Sequence, residues 1–143
     1  MNVQASIQAL FRFSPFIENS CQQDEGLLAW LEKSGRLQSV TEEASYRKLL
    51  SRRLKKVKND QQLSIALRQF RRQEMVRIAA RDLAGWGDYH STVAEVSALA
   101  DVCLSETLDL LYRWQCDEEG TPKGEQSGKP QRMIVVAMGK LGA

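Results

Sequence analysis

The chain has 143 residues, 43% of them hydrophobic and 27% charged, with a formal net charge of +2. The length suits one domain or one piece of a larger protein, and the balance is that of an ordinary globular chain rather than a fibrous or disordered one. So small a net charge does not by itself imply an acidic partner, although twelve of the 20 Lys and Arg fall between Arg47 and Arg81.

Cys21, Cys103 and Cys116 make no CxxC pair and have no histidine at metal spacing. The pattern argues against a zinc site, and the odd count argues against a disulfide framework. A reducing cytoplasm is the natural compartment for such cysteines. The opening "MNVQASIQALF" has no basic region and no long apolar core, so it does not read as a signal peptide. No stretch approaches the roughly 20 apolar residues of a membrane span.

"SPFIENSC" opens a helix. Ser14 can cap a free backbone N–H, and Pro15 suits the first helical position, where its missing donor costs nothing. "DEGLLAWLEKSG" predicts a second, short helix with acids at its start and Gly35 past its end. "TEEASYRKLLSRRLKKVK" predicts a third, with Thr41 as cap. Tyr46, Leu49, Leu50, Leu54 and Val57 lie near one stripe, and Arg and Lys fill the rest as solvated surface. "DQQLSIALRQFRRQEMVRIAARDLAG" predicts a long fourth helix. Its apolar line runs through Leu63, Ala66, Leu67 and Phe70 to Met75, Ile78, Ala79 and Leu83, and Gly85 and Gly87 end it. "TVAEVSALADVCLSETLDLLYRWQ" is the clearest helix. Thr92 and Glu95 have the spacing of a capping box, followed by a stripe of Val93, Val96, Ala100, Cys103, Leu104, Thr107 and Leu111.

"CDEEGTPKGEQSGKPQR" then reads as a polar linker. Beyond it the pattern changes. "MIVVAM" is short, continuously apolar and β-branched, which fits a strand buried on both faces. The expected organisation is a helical segment over 1–116, a linker over 117–132, and the opening strand of something else over 133–143. A single strand leaves its ladder groups unpaired, so the partner strands are expected outside this chain.

The turn "AMGKLGA" admits several readings. Leu141 stands where a phosphate loop needs Ser or Thr, and also where a dinucleotide fingerprint needs glycine. A GxxG loop of the KH type would join two helices, but here an apolar run precedes it. A strand-to-helix turn cradling nucleotide phosphates fits better, with Gly139 and Gly142 permitting close backbone approach and Lys140 supplying charge. A plain tight turn competes with it on residues alone.

The combination of "LRQFRRQEMVRIAARDL", "EVSALADVCL", "GTP" and "VVAMGKLGA" resembles the bacterial glutamine synthetase adenylyltransferases, bifunctional adenylylating and adenylyl-removing enzymes. The resemblance runs from about Leu63 to the end, and only "FSPFIENS" is suggestive before it. It implies a mostly α chain ending in the first strand of a truncated α+β nucleotidyltransferase domain of the polymerase-β type. Lys140 points to the half that removes AMP from a tyrosine of glutamine synthetase by phosphorolysis, releasing ADP. The other half adds AMP from ATP. Gly139, Lys140 and Gly142 would contact nucleotide or phosphate. Ala143 departs from the family's usual glycine. Magnesium would be held by an Asp-x-Asp pair that this sequence does not contain, so the chain alone is expected to be inactive. A PII-family signal protein is the implied regulatory partner; neither nucleic acid nor membrane is expected. The alternative is a non-enzymatic helical module with a phosphate- or RNA-contacting loop.

Arg68, Arg71, Arg72, Arg77 and Arg81 spread around the fourth helix. The bland reading is a solvated face with local ion pairs from Arg68 or Arg71 to Glu74. Arg71 and Arg72, within the "FRR" of the resemblance, are the candidates for a ligand or partner contact. His90 reads as a loop or capping residue, and Trp30, Trp86 and Trp114 read as packing. The cysteines read as small apolar fillers, Cys103 most clearly.

Overall fold

Residues 3–138 are described by the structure, a computed structural model. Helix α1 spans Val3–Leu10, and a single 3₁₀ turn over Phe11–Phe13 leads to α2, Pro15–Gln23. The expected start of α2 is realised. Ser14 Oγ accepts the Ile17 N–H at 3.3 Å, and Pro15 follows at the first position. Helix α3 covers Leu27–Ser34 and stops at Gly35, whose φ of 64° is the left-handed ending that glycine adopts without cost. Its expected N-terminal acids lie outside the helix. Asp24 instead closes a turn by accepting the Gly26 N–H at 3.1 Å.

Helix α4 runs over Glu43–Leu54 and α5 over Asp60–Leu83, the latter capped by Asn59, which accepts the Gln62 N–H at 2.9 Å. Helix α6 runs over Tyr89–Glu119, 31 residues, capped by Asp88. The backbone N–H of Ser91 bonds Asp88 Oδ1 at 2.7 Å, and this bond holds the Asp88 carboxyl below its ordinary pKa.

Two hydrophobic clusters share α5. Its first half gives Leu63, Ala66 and Phe70 to a cluster with Tyr46, Leu50 and Leu54 of α4 and Leu99, Val102 and Leu110 of α6. Val76 and Ala80 face the other way, into a cluster with Ile7, Ile17, Leu27 and Leu31 of α1–α3. Most of the stripe read as one line stays with the first cluster, from Leu63, Ala66, Leu67 and Phe70 to Met75 and Ile78, while Ala79 packs against the second and Leu83 is exposed; Val76 and Ala80, which join the second core, lie off that line.

Two caps differ from expectation. Thr41 does not cap α4; it is buried, and its N–H reaches Glu95 Oε1 at 2.7 Å. Thr92 and Glu95 form no capping box, because the helix begins a turn earlier at Asp88 and Glu95 is turned into the interior. That orientation also rotates α6. Its buried line is Glu95, Leu99, Val102 and Leu110, while Val93, Val96 and Leu104 of the expected stripe are exposed. Cys103 and Leu111 of that stripe still pack half-buried against the first cluster.

Helix α6 continues through the start of the expected linker to Glu119. The chain then turns, with Gly124 N–H donating to Lys129 O at 2.9 Å and Gln131 N–H to Pro122 O at 2.8 Å. Tyr112 Oη bonds Gln131 O at 2.9 Å, and Arg132 pairs with Asp109 at 2.5 Å, so the turn is tied to α6. Residues 133–138, expected as a strand, carry no regular secondary structure, and no strand occurs among the described residues. The physical reason is the one the isolated apolar run raised: without a neighbouring strand its backbone has no ladder to join.

Candidate functional site

Where the two clusters meet, α5 and α6 bury a set of charges. Arg77, with no exposed surface, donates through Nε to Glu74 at 2.9 Å and through Nη2 to Glu95 and to the Tyr46 hydroxyl. Arg81 Nη1 reaches the other Glu95 oxygen at 2.9 Å. Arg36, on the segment after α3, forks onto Glu74 at 3.1 and 2.6 Å. Burial opposes the Arg77 cation, but the Tyr46 oxygen and the carboxylates of Glu74 and Glu95 outweigh it and raise its pKa. Every carboxylate oxygen in the cluster has a cationic donor, which is what makes buried charge tolerable. Apart from Arg36, which is partly exposed, these groups are buried, so the cluster orders the helices rather than presenting a ligand site.

Gly87 closes the corner over this cluster. A Cβ there would lie 2.5 Å from the Arg81 guanidinium carbon. That guanidinium cannot simply swing away, because Glu95 and Ser91 hold it at 2.9 Å each. Gly87→Ala is therefore expected to destabilise the chain by about 1–3 kcal/mol in urea denaturation.

The arginines on the opposite side of α5 are arranged differently. Arg68, Arg71 and Arg72 are exposed, and among the described residues they make no ion pair. The expected local pairs to Glu74 do not form, because Arg36 and Arg77 occupy that carboxylate. With Met75 they follow an i, i+3, i+4, i+7 line facing Phe16, Asn19, Ser20 and Gln23 of α2, which have the same spacing. Between the two lines lies a groove of about 390 Å³. Among the described residues no carboxylate lines it. Arg71 and Arg72, singled out from the sequence, are thus brought together, and Arg68 joins them.

Gly139, Lys140 and Gly142, the other residues singled out, lie outside the described residues. Val135 and Ala137 line a shallow cleft together with Leu104 and Leu108 of α6. Met133, Ile134, Val135, Val136 and Met138 are all exposed.

Residues 4–143 match the family model described as glutamate-ammonia ligase adenylyltransferase. The chain belongs to the glutamate-ammonia ligase adenylyltransferase family. It is 44% identical over 130 residues to a protein of Nitrosococcus oceani named bifunctional glutamine synthetase adenylyltransferase/adenylyl-removing enzyme. Proteins of the same name from Pseudomonas aeruginosa and Pseudomonas putida are 38% and 32% identical over 130 residues. Each alignment covers 91% of this chain and 13% of the relative, so the chain spans a small part of the relatives' length. No solved structure matches. The family match extends through the first sixty residues, where the sequence motifs were sparse, and it does not favour the non-enzymatic helical module.

Other singled-out residues take modest places. His90 is exposed in the first turn of α6, its ring edge-on to Tyr89. Trp86 and Trp114 are half-buried against the two clusters, and Trp30 packs likewise with the Arg36 guanidinium over its ring. Cys21 is buried and Cys103 half-buried; burial raises the pKa of both thiols. Within "RRLKKVK", Arg53 is not simply solvated surface. It sits over the Phe70 ring at 5.3 Å and bonds Gln73 at 2.8 Å. No helix among the described residues is long and apolar enough to cross a membrane.

Proposed function

We propose that this chain is part of a cytoplasmic enzyme that adenylylates and de-adenylylates a tyrosine of glutamine synthetase, and that it comes from the adenylyl-removing half. The observation that carries the reading is the family match over residues 4–143, with relatives named for both activities. In the proposed reaction inorganic phosphate attacks the phosphorus of the tyrosyl adenylate. The bond from phosphorus to the tyrosine oxygen breaks, ADP leaves and the phenolate takes a proton. Residues 133–138 become the first strand of the nucleotidyltransferase sheet once partner strands supply its ladder. Gly139 and Gly142 then bring backbone donors to the phosphates, and Lys140 adds a point charge.

Among the described residues no three His, Cys, Asp or Glu side chains gather as metal ligands. The described part therefore does not fit a magnesium site, and the proposal places that ion on carboxylates outside it. The other half would use ATP, and a PII-family signal protein would set the balance between the two activities. The test uses the full-length enzyme that contains this segment. Lys140→Ala should lower adenylyl removal at least tenfold, about the effect of losing one charged phosphate contact, and leave adenylyl addition within about twofold. The 143-residue chain alone should release no ADP from adenylylated glutamine synthetase. Loss of addition with removal intact would overturn the assignment to this half.

A further inference from the structure

We propose that the groove between α2 and α5 is a phosphoanion site, formed by Arg68, Arg71 and Arg72 on one wall and by Phe16, Asn19 and Gln23 on the other. It is built from different residues than the Gly139–Gly142 turn and does not depend on the reading given to that turn. Arg36, Arg47, Arg77, Arg81 and Arg132 each hold a carboxylate. Among the described residues Arg68, Arg71 and Arg72 hold none, as is also true of Arg12, Arg52, Arg53 and Arg113, but these three share one helix face and one groove, with less than one and a half turns between first and last. Like charges at i, i+3 and i+4 repel, so the arrangement costs stability unless an anion sits among them.

Shape and chemistry then narrow the anion. A groove of about 390 Å³ falls in the range of small-ligand sites, and it lies between two helices rather than on a flat surface. Guanidinium forks donate in pairs to phosphate oxygens, and three forks match the multiple negative charges of a phosphoanion better than the single charge of one carboxylate. The facing wall is uncharged. Asn19 and Gln23 supply amide groups, and Phe16 is 47% exposed at the groove, an aromatic surface that stacks on no other ring among the described residues. Phosphate oxygens on the arginines would leave a ring attached to the same ligand within reach of Phe16. The phosphate could thus come from a free inorganic anion or from a nucleotide, and Phe16 is the residue that tells the two apart.

The experiment is a calorimetric titration of the 143-residue chain with pyrophosphate, with ADP and with succinate. Pyrophosphate or ADP is expected to bind, and Arg71→Ala and Arg72→Ala should each weaken binding roughly tenfold. Lys48→Ala, an exposed control on α4, should leave it unchanged. Both arginines are exposed, so their removal leaves the cores intact, and circular dichroism of each variant checks this. If ADP binds more tightly than pyrophosphate and Phe16→Ala removes only that difference, the site takes nucleotides. If the two bind alike and Phe16→Ala changes nothing, it takes the free anion. Succinate binding as tightly as either, no binding of pyrophosphate or ADP, or binding that survives loss of both arginines would each overturn the proposal.

Discussion

Glu95→Ala is expected to cost about 3–5 kcal/mol of folding stability, read as a fall in the urea midpoint, because it strips the shared anion from a buried set of cations. Glu95 Oε1 accepts from Arg77, from the Thr41 N–H at 2.7 Å and from Tyr46 at 3.3 Å, and Oε2 accepts from Arg81 at 2.9 Å. Its removal leaves Arg81 with no carboxylate and Arg77 with only Glu74. It also orphans a buried backbone donor. Arg77→Met should cost less, since each carboxylate keeps one guanidinium: Arg36 on Glu74 and Arg81 on Glu95. The order of the two variants is the sharper part of the prediction. A Glu95→Ala chain within about 0.5 kcal/mol of the parent would mean that water already shares these charges.

The same cluster explains where the sequence was and was not legible. The start of α2 was readable because Ser14 and Pro15 act on the backbone beside them. The extent of α5 was readable because twenty-odd residues of apolar period outweigh any single position. The Thr92–Glu95 box failed because a capping signal is local, whereas the partners that claimed Glu95 lie 14 to 54 residues away in the chain. Once Glu95 faces inward, the helical phase of α6 is fixed. Of two adjoining apolar lines, the one through Leu99, Val102 and Leu110 is buried. Charge on α5 misled for a related reason. Five arginines around one helix look equivalent in sequence, yet Arg77 and Arg81 are interior while Arg68, Arg71 and Arg72 line a groove. The matching periods on α2 and α5 were present in the sequence. Only the packing of α2 on α5 shows that the two lines face each other.

Tyr46 joins the buried charges to the first hydrophobic cluster, and its two halves can be tested separately. The ring is fully buried and meets Phe70 edge-on, with centroids 6.5 Å apart at 88°. Tyr46→Ala should therefore cost about 3–5 kcal/mol, the range for emptying an aromatic site in a core. Tyr46→Phe keeps the ring and removes only the hydroxyl that accepts from Arg77 and donates to Glu95, so about 1–2 kcal/mol is expected. The hydroxyl also sets an alkaline limit. Burial pushes the Tyr46 pKa well up, and Arg77 only partly offsets this. The unfolded chain loses that proton near pH 10 while the folded chain keeps it, so unfolding releases a proton above that pH. The contribution is complete below about pH 10 and declines as pH rises toward the folded pKa. Urea midpoints measured from about pH 8 to 11 should fall more steeply for the parent than for Tyr46→Phe, which has no proton to lose there. Parallel slopes would show that the phenol is solvated and that its bonds to Arg77 and Glu95 open in solution.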